Sequence, residues 1–351
     1  MMCRAFNRVV SLLVPASLLL LSAAIPAFAK NSLLPDSPCA KIPQASYPRA
    51  LISNGVADVV VYLPDAANGS YRSTRFDWSG IVACASYNGH TYFGEWANRT
   101  SDPLINDNVS GPAEEFRRLS GEIGYDEAKP GDPFLKVGVG LLKRIDEQPY
   151  RFGTVYPILD DGKWSVRVSG RSVTFKQILH TSTGYSYLYE KKLVLDRKAP
   201  VMRLEHSLKN LGTKPITTNV YAHDFFILDN EPTGPGMAVT FGFEPKTDPR
   251  FPEELVSMSG NEIVFKDTPR RGYTAQGYLT GYTGKPGEYS FHLQDRNSGV
   301  GILQTSESPL STVYFWSTPK TICPEAYISI DVAPGATQKW SIAYRFEGAK
   351  R

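Results

Sequence analysis

Met202-Arg203-Leu204-Glu205-His206-Ser207-Leu208-Lys209, followed by Asn210-Leu211-Gly212 and then by Ile216 to Phe226, carries the pattern that decides the fold. Met202, Leu204, His206 and Leu208 alternate with Arg203, Glu205, Ser207 and Lys209. A period of two sets one row of side chains on a buried face and the other in water. Asn-Leu-Gly is turn chemistry, and an apolar segment follows it, so the stretch reads strand, turn, strand. The same alternation recurs at Trp164, Val166 and Val168, and again at Trp340, Ile342, Tyr344 and Phe346. Between such runs lie Asp160-Asp161-Gly162, Gly234-Pro235-Gly236, Thr283-Gly284-Lys285-Pro286-Gly287 and Ala333-Pro334-Gly335.

Outward from that core the pattern is β almost throughout. Two short helices are predicted. One is Pro112 to Leu119, with proline in the first turn and Glu114 and Glu115 early. The other is Glu253 to Met258. No internal repeat or hinge-like linker interrupts the strand–turn rhythm. The expectation is an all-β chain: residues 56–351 as a single large antiparallel β-sandwich domain, preceded by an irregular lead-in over residues 30–55.

Residues 1–29 read as a signal peptide. Arg4 and Arg8 precede the apolar run Val9 to Ile25, and Ala27-Phe28-Ala29 supplies small residues for cleavage before Lys30. The expected location is therefore secreted or periplasmic, with no membrane association after cleavage. Losing two arginines and no acid lowers the formal charge of +3 by two. A near-neutral chain without a basic run carries no footprint for nucleic acid or anionic lipid. The expected partner is a small molecule or an oligosaccharide. Cys39, Cys84 and Cys323 remain after cleavage, enough for one disulfide and one free thiol, and their spacing does not resemble a zinc site.

On the strand from Ile216 to Leu228, parity sets Tyr221, His223 and Phe225 on one face and Ala222, Asp224 and Phe226 on the other. His223 is either a core histidine bonded to backbone or a proton donor. Asp224, a carboxylate among apolar residues, needs water at a strand end or a partner. From Pro324 to Val332, Glu325 shares a face with Tyr327, Ser329 and Asp331. It is either a solvated glutamate or, in an aromatic groove, a base with its pKa raised by desolvation. His206 reads as a core histidine, and His180 and His292 as structural.

The turn Asn210-Leu211-Gly212, the strand ending Tyr221-Ala222-His223-Asp224-Phe225-Phe226, and the later Ile322-Cys323-Pro324-Glu325, Pro334-Gly335 and Tyr344-Arg345-Phe346 together resemble the galactose mutarotase (aldose 1-epimerase) superfamily. The likeness covers the C-terminal half well and the N-terminal half loosely. It implies a β-supersandwich with a sugar groove, His223 as general acid, Glu325 as general base, and no metal or organic cofactor. By the same resemblance Arg75 and His90 stand nearest to the family's sugar-gripping arginine and histidine. Trp78 and Trp316 lie near these motifs with Trp96, and indole faces suit a pyranose. Glu115 and Asp224 are further candidate substrate contacts. Three readings stay open: a mutarotase acting on a hexose or hexose-containing saccharide, a non-catalytic carbohydrate-binding protein, and a polysaccharide lyase-like enzyme. A lyase would need a basic groove, to which Arg75, Arg117 and Arg118 could contribute.

Overall fold

The computed structural model describes residues 33–41, 47–97, 102–119 and 121–351. The expected signal segment lies outside the described residues. Two antiparallel sheets dominate. The larger has ten strands, in the order Val256–Ser259, Glu262–Phe265, Met237–Phe241, Ser290–Asp295, Val300–Thr305, Thr337–Glu347, Val201–Asn210, Tyr187–Leu195, Ser172–Leu179 and Lys163–Ser169. The other has six, in the order Lys246–Thr247, Gly277–Thr280, Thr312–Ser317, Ile322–Val332, Ile216–His223 and Ala113–Phe116. Smaller sheets of four and three strands flank them.

The alternating sequences are the reason for this layering. Ser172–Leu179 buries every second residue, and Val201–Asn210 does the same. Leu204, Leu208 and Ile342 from the large sheet share one core with Val220, Ile328 and Ile330 from the six-stranded sheet. Each such side chain contributes roughly 1.5–3 kcal/mol by leaving water. The outer face of the six-stranded sheet is treated differently along its length. Ser329 and Asp331 are exposed, whereas Cys323, Glu325 and Tyr327 are buried on that same face. The covering comes from loops and the three-stranded sheet, whose aromatics Phe76, Trp78, Tyr125 and Phe134 form a second cluster with Phe225 and Cys323.

Where helix was expected over 112–119, the chain forms the edge strand Ala113–Phe116. Its two acids are consumed by partners on opposite faces instead of complementing a helix terminus. Glu114 points between the sheets, where Lys191 Nζ lies 2.7 Å and His206 Nε2 2.8 Å away. Lys191 also reaches Asp77 at 2.7 Å, and Tyr189 donates to Asp77 at 3.0 Å. His206 is therefore buried as expected, but as a carboxylate partner stacked on Trp340 at 4.8 Å. The second expected helix is a turn, in which Leu255 and Val256 donate to the Pro252 carbonyl, running into strand Val256–Ser259. Gly260, at φ +56°, then closes a hairpin with Glu262–Phe265.

The stretch expected to be irregular before residue 56 contains a 3₁₀ turn, Pro38–Lys41, and strand Arg49–Ser53. That strand pairs with Ala57–Tyr62 through Asn54, whose Oδ1 accepts from Val56 and Ala57. Cys39 and Cys84 are disulfide-bonded, and Cys323 is a buried free thiol. No helix among the described residues is long and apolar enough to cross a membrane.

Candidate functional site

The strand register assembles the site. Ile216–His223 pairs antiparallel with Ile322–Val332, setting Tyr221 opposite Tyr327. Continuing that register by two residues sets His223 opposite Glu325. Neighbours across a ladder on one face meet side chain to side chain, and His223 Nε2 lies 3.3 Å from Glu325 Oε1. The same parity brings Tyr314 opposite Glu325, Tyr278 opposite Tyr314, and Glu115 opposite Tyr221. One face of the six-stranded sheet thus carries a row of aromatics around one acid–base pair.

His223 ends its strand because Phe225 adopts φ +46°, a region costing a bulky residue of order 1–3 kcal/mol. Side chains two residues apart on a regular strand are separated by about 7 Å. The kink brings the rings of His223 and Phe225 to 3.8 Å in a parallel stack. Phe225 donates its N–H to Cys323 Sγ at 3.2 Å, fixing the bend to the Glu325 strand. Trp316 and Phe76 approach the imidazole edge-on at 5.0 and 5.9 Å, so the ring is held on three sides.

This pair lies at the base of a cleft of about 440 Å³. Trp96 and Trp316, mutually perpendicular with centroids 5.3 Å apart, line it. Tyr278, Tyr314, Tyr327, Gln276, Arg75, Arg117, Asp107 and Phe152 complete the lining, and the Trp96 indole donates to the Asp107 carbonyl at 3.1 Å. A second cleft, about 580 Å³, is bounded by Lys246, Arg250, Phe251, Glu253 and Lys266 but has no histidine or indole in its wall.

Electrostatics follow from dryness. Burial pushes the Glu325 carboxyl up to about 8. Burial, reinforced by Arg75, drives His223 well below the ordinary histidine value. At neutral pH the two groups therefore hold one proton between them, which belongs to the pair. Each nitrogen of Arg75 has a partner: Nε meets Glu115 at 3.1 Å, Nη2 the Tyr221 hydroxyl at 3.2 Å, and Nη1 Asp107. Behind it Glu115 accepts from Tyr221 at 2.6 Å and Lys136 at 3.2 Å. Burial alone would raise Glu115, but Lys136 and Arg75 outweigh it and hold it at about 2.

Of the residues singled out from sequence, His223, Glu325, Arg75 and Trp316 meet in the cleft, and Trp96 joins them. Glu115 lies beneath Arg75 without reaching the cleft wall, so it positions Arg75. Asp224 points the other way, into the core between the sheets, where the Tyr344 hydroxyl donates to it at 2.8 Å. Trp78 is buried outside the cleft; its indole donates to the Ser73 carbonyl at 2.8 Å and stacks on Trp164. His90 is elsewhere, with Nδ1 2.8 Å from Asp229 and Nε2 2.8 Å from the Ala349 carbonyl, tying the C-terminus down. Tyr278, Tyr314 and Tyr327 also line the cleft, and the signal for two of them is the i, i+2 spacing in Tyr314-Phe315-Trp316 and Glu325-Ala326-Tyr327.

The sequence matches no protein-family model and no curated protein. Solved structures, in contrast, match over most of the chain. A putative aldose 1-epimerase from Escherichia coli K12 aligns at a TM-score of 0.54 and 13% identity, covering 86% of this chain and 99% of its own. A galactose mutarotase related enzyme from Lactobacillus acidophilus aligns at 0.52 and 12%, covering 86% and 97%. A galactose mutarotase-like protein from Clostridium acetobutylicum aligns at 0.52 and 12%, covering 85% and 95%. The chain has the galactose mutarotase-like β-sandwich fold.

Proposed function

We propose that the protein is an exported sugar-binding enzyme that interconverts the anomers of a hexose or a hexose-containing saccharide. The observation that carries this reading is the His223–Glu325 pair, 3.3 Å apart at the base of an indole-walled cleft. The two oxygens of a hemiacetal, O1 and O5, sit on one carbon, so two groups this close can address both. Glu325 as carboxylate takes the O1 proton while His223 as imidazolium gives its proton to O5. The C1–O5 bond breaks as the C1 carbonyl forms. After rotation about C1–C2, O1 takes the proton back from Glu325 as O5 returns its proton to His223 and attacks the other face. The single proton held by the resting pair is the number this cycle requires. Each transfer contributes about 10²–10⁴ in rate, and no electron acceptor is involved.

The likeness to a putative aldose 1-epimerase supports the same reading at the level of the scaffold. Export is supported by the basic, apolar and Ala-x-Ala order of residues 1–29 and by the Cys39–Cys84 disulfide, which suits an oxidising compartment. The test is polarimetric decay of freshly dissolved α-D-glucose and α-D-galactose. Wild type accelerates it, and Glu325→Gln and His223→Asn each lose about 10²–10⁴ of that acceleration. A folded wild type that binds either sugar yet leaves the decay at its spontaneous rate would make the cleft a recognition site without turnover.

A further inference from the structure

Arg117 stands apart from Arg75, although both line the cleft. Arg75 has two carboxylate partners, Glu115 and Asp107. Among the described residues the Arg117 guanidinium has no salt-bridge partner and makes no hydrogen bond; it lies over the face of Phe152, 4.5 Å from the ring centroid. The nearby acids are occupied. Glu115 is taken by Arg75, Lys136 and Tyr221, and Asp107 by Arg75. The Arg117 main chain is fixed, donating to the Asn219 carbonyl at 2.8 Å as the ladder continues past Phe116. Burial disfavours its charge, but the field of Glu115 more than offsets that, so Arg117 stays charged at the cleft with its N–H donors unbonded among the described residues.

We infer that the saccharide this cleft takes carries a carboxylate, a uronic acid unit, which Arg117 grips through its planar fork. The inference rests on the sugar-site reading above and names its substrate class. A guanidinium offers paired N–H donors that match the two oxygens of a carboxylate. Phe152 beneath the guanidinium plane limits its orientations, so the fork is held ready. Among the described residues lining the cleft the other acids are compensated: Asp107 is paired with Arg75, and with its single proton the His223–Glu325 pair is neutral overall. Placement tells where the acid sits. Arg117 lies opposite Asn219, four residues along the strand from His223, ~13 Å of rise, shortened by its long side chain. The carboxylate is thus held beside the reacting carbon, on C6 of that ring or on the adjoining sugar, and acts as a specificity handle.

The test is calorimetric titration of the full chain with matched pairs: D-galacturonate against D-galactose, D-glucuronate against D-glucose, and trigalacturonate against galactotriose, with galactose 6-sulfate as a separate arm. Charge-assisted bonds of this kind predict uronates binding about ten- to a hundredfold more tightly than their neutral partners. That advantage should shrink in 0.5 M salt, as expected of a partly exposed ion pair. Arg117→Gln should remove most of the advantage and Arg117→Lys should keep part of it, with thermal melts reporting whether each variant folds. Should a variant not fold, the wild-type pairs alone decide. Neutral sugars binding as tightly as uronates would overturn the inference and leave the sugar site standing. Tighter binding of galactose 6-sulfate would overturn the carboxylate. No binding by any saccharide, acidic or neutral, would overturn both readings.

Discussion

Burial acts in opposite directions on His223 and Glu325, and the pH dependence of the site follows from that. Glu325 is raised to about 8 because its charged form is desolvated, and His223 is lowered for the same reason. Above about pH 8 the pair loses its single proton and no acid remains; well below the ordinary histidine value it holds two and no base remains. Mutarotation should therefore follow a bell, with its upper limb near pH 8 and its lower limb below 6.5. A rate that kept climbing through pH 9 would show Glu325 acting as an isolated base. At this scale the sequence was legible for residue identity: His223 and Glu325 stood out, and Arg75 and Trp316 joined them. What parity could not reveal was the φ of Phe225, which converts an i, i+2 neighbour into a stacked wall.

At the scale of elements, the edge strand Ala113–Phe116 shows why neighbouring acids mislead. Glu114 and Glu115 look like the start of a helix, yet extended backbone sends one to each face. Each is buried and each is matched by basic side chains from elsewhere, Glu115 by loop Arg75 and strand Lys136, Glu114 by Lys191 and His206 of the large sheet. Glu114 is held at about 2 because His206 and Lys191 outweigh its burial. A carboxyl depressed in the folded state contributes stability above its unfolded pKa and loses it as the pH falls toward 2. Lys191→Met should leave Glu114 and Asp77 short of a cation and cost about 3–5 kcal/mol at pH 7, read by urea unfolding. A loss under about 1 kcal/mol would mean this buried network does not hold the sheets together. The strands themselves were legible where one face meets water, as in Val201–Asn210, and less so where both faces are covered, as at Cys323–Tyr327.

At the scale of the molecule, the two large sheets form the core, and the site lies on the outer face of the smaller one where the covering loops stop. Those loops carry Arg75, Trp96 and Phe152 into the cleft. The disulfide ties the N-terminal turn to strand Val82–Tyr87 across 45 residues of sequence. Closing a loop of that size restrains the unfolded chain by up to about 4 kcal/mol. Replacing Cys39 and Cys84 by serine should lower the melting temperature while leaving the polarimetric rate per folded molecule intact; a lost rate would mean that the lead-in shapes the cleft.

The sequence by itself determined the period-two strands, the turns between them, the resemblance in motif order and the identity of the histidine and glutamate that meet across the ladder. These are local properties, carried by side-chain alternation and turn chemistry within a few residues. Only the tertiary structure decided which cysteines pair, that His90 and Trp78 stay outside the cleft, that Glu115 supports Arg75, and that the Arg117 guanidinium has no ion-pair partner among the described residues. Each of those depends on which distant strands become neighbours. A one-residue change of register sends every side chain of a strand to the other face, so such facts exist only once the ladders have closed.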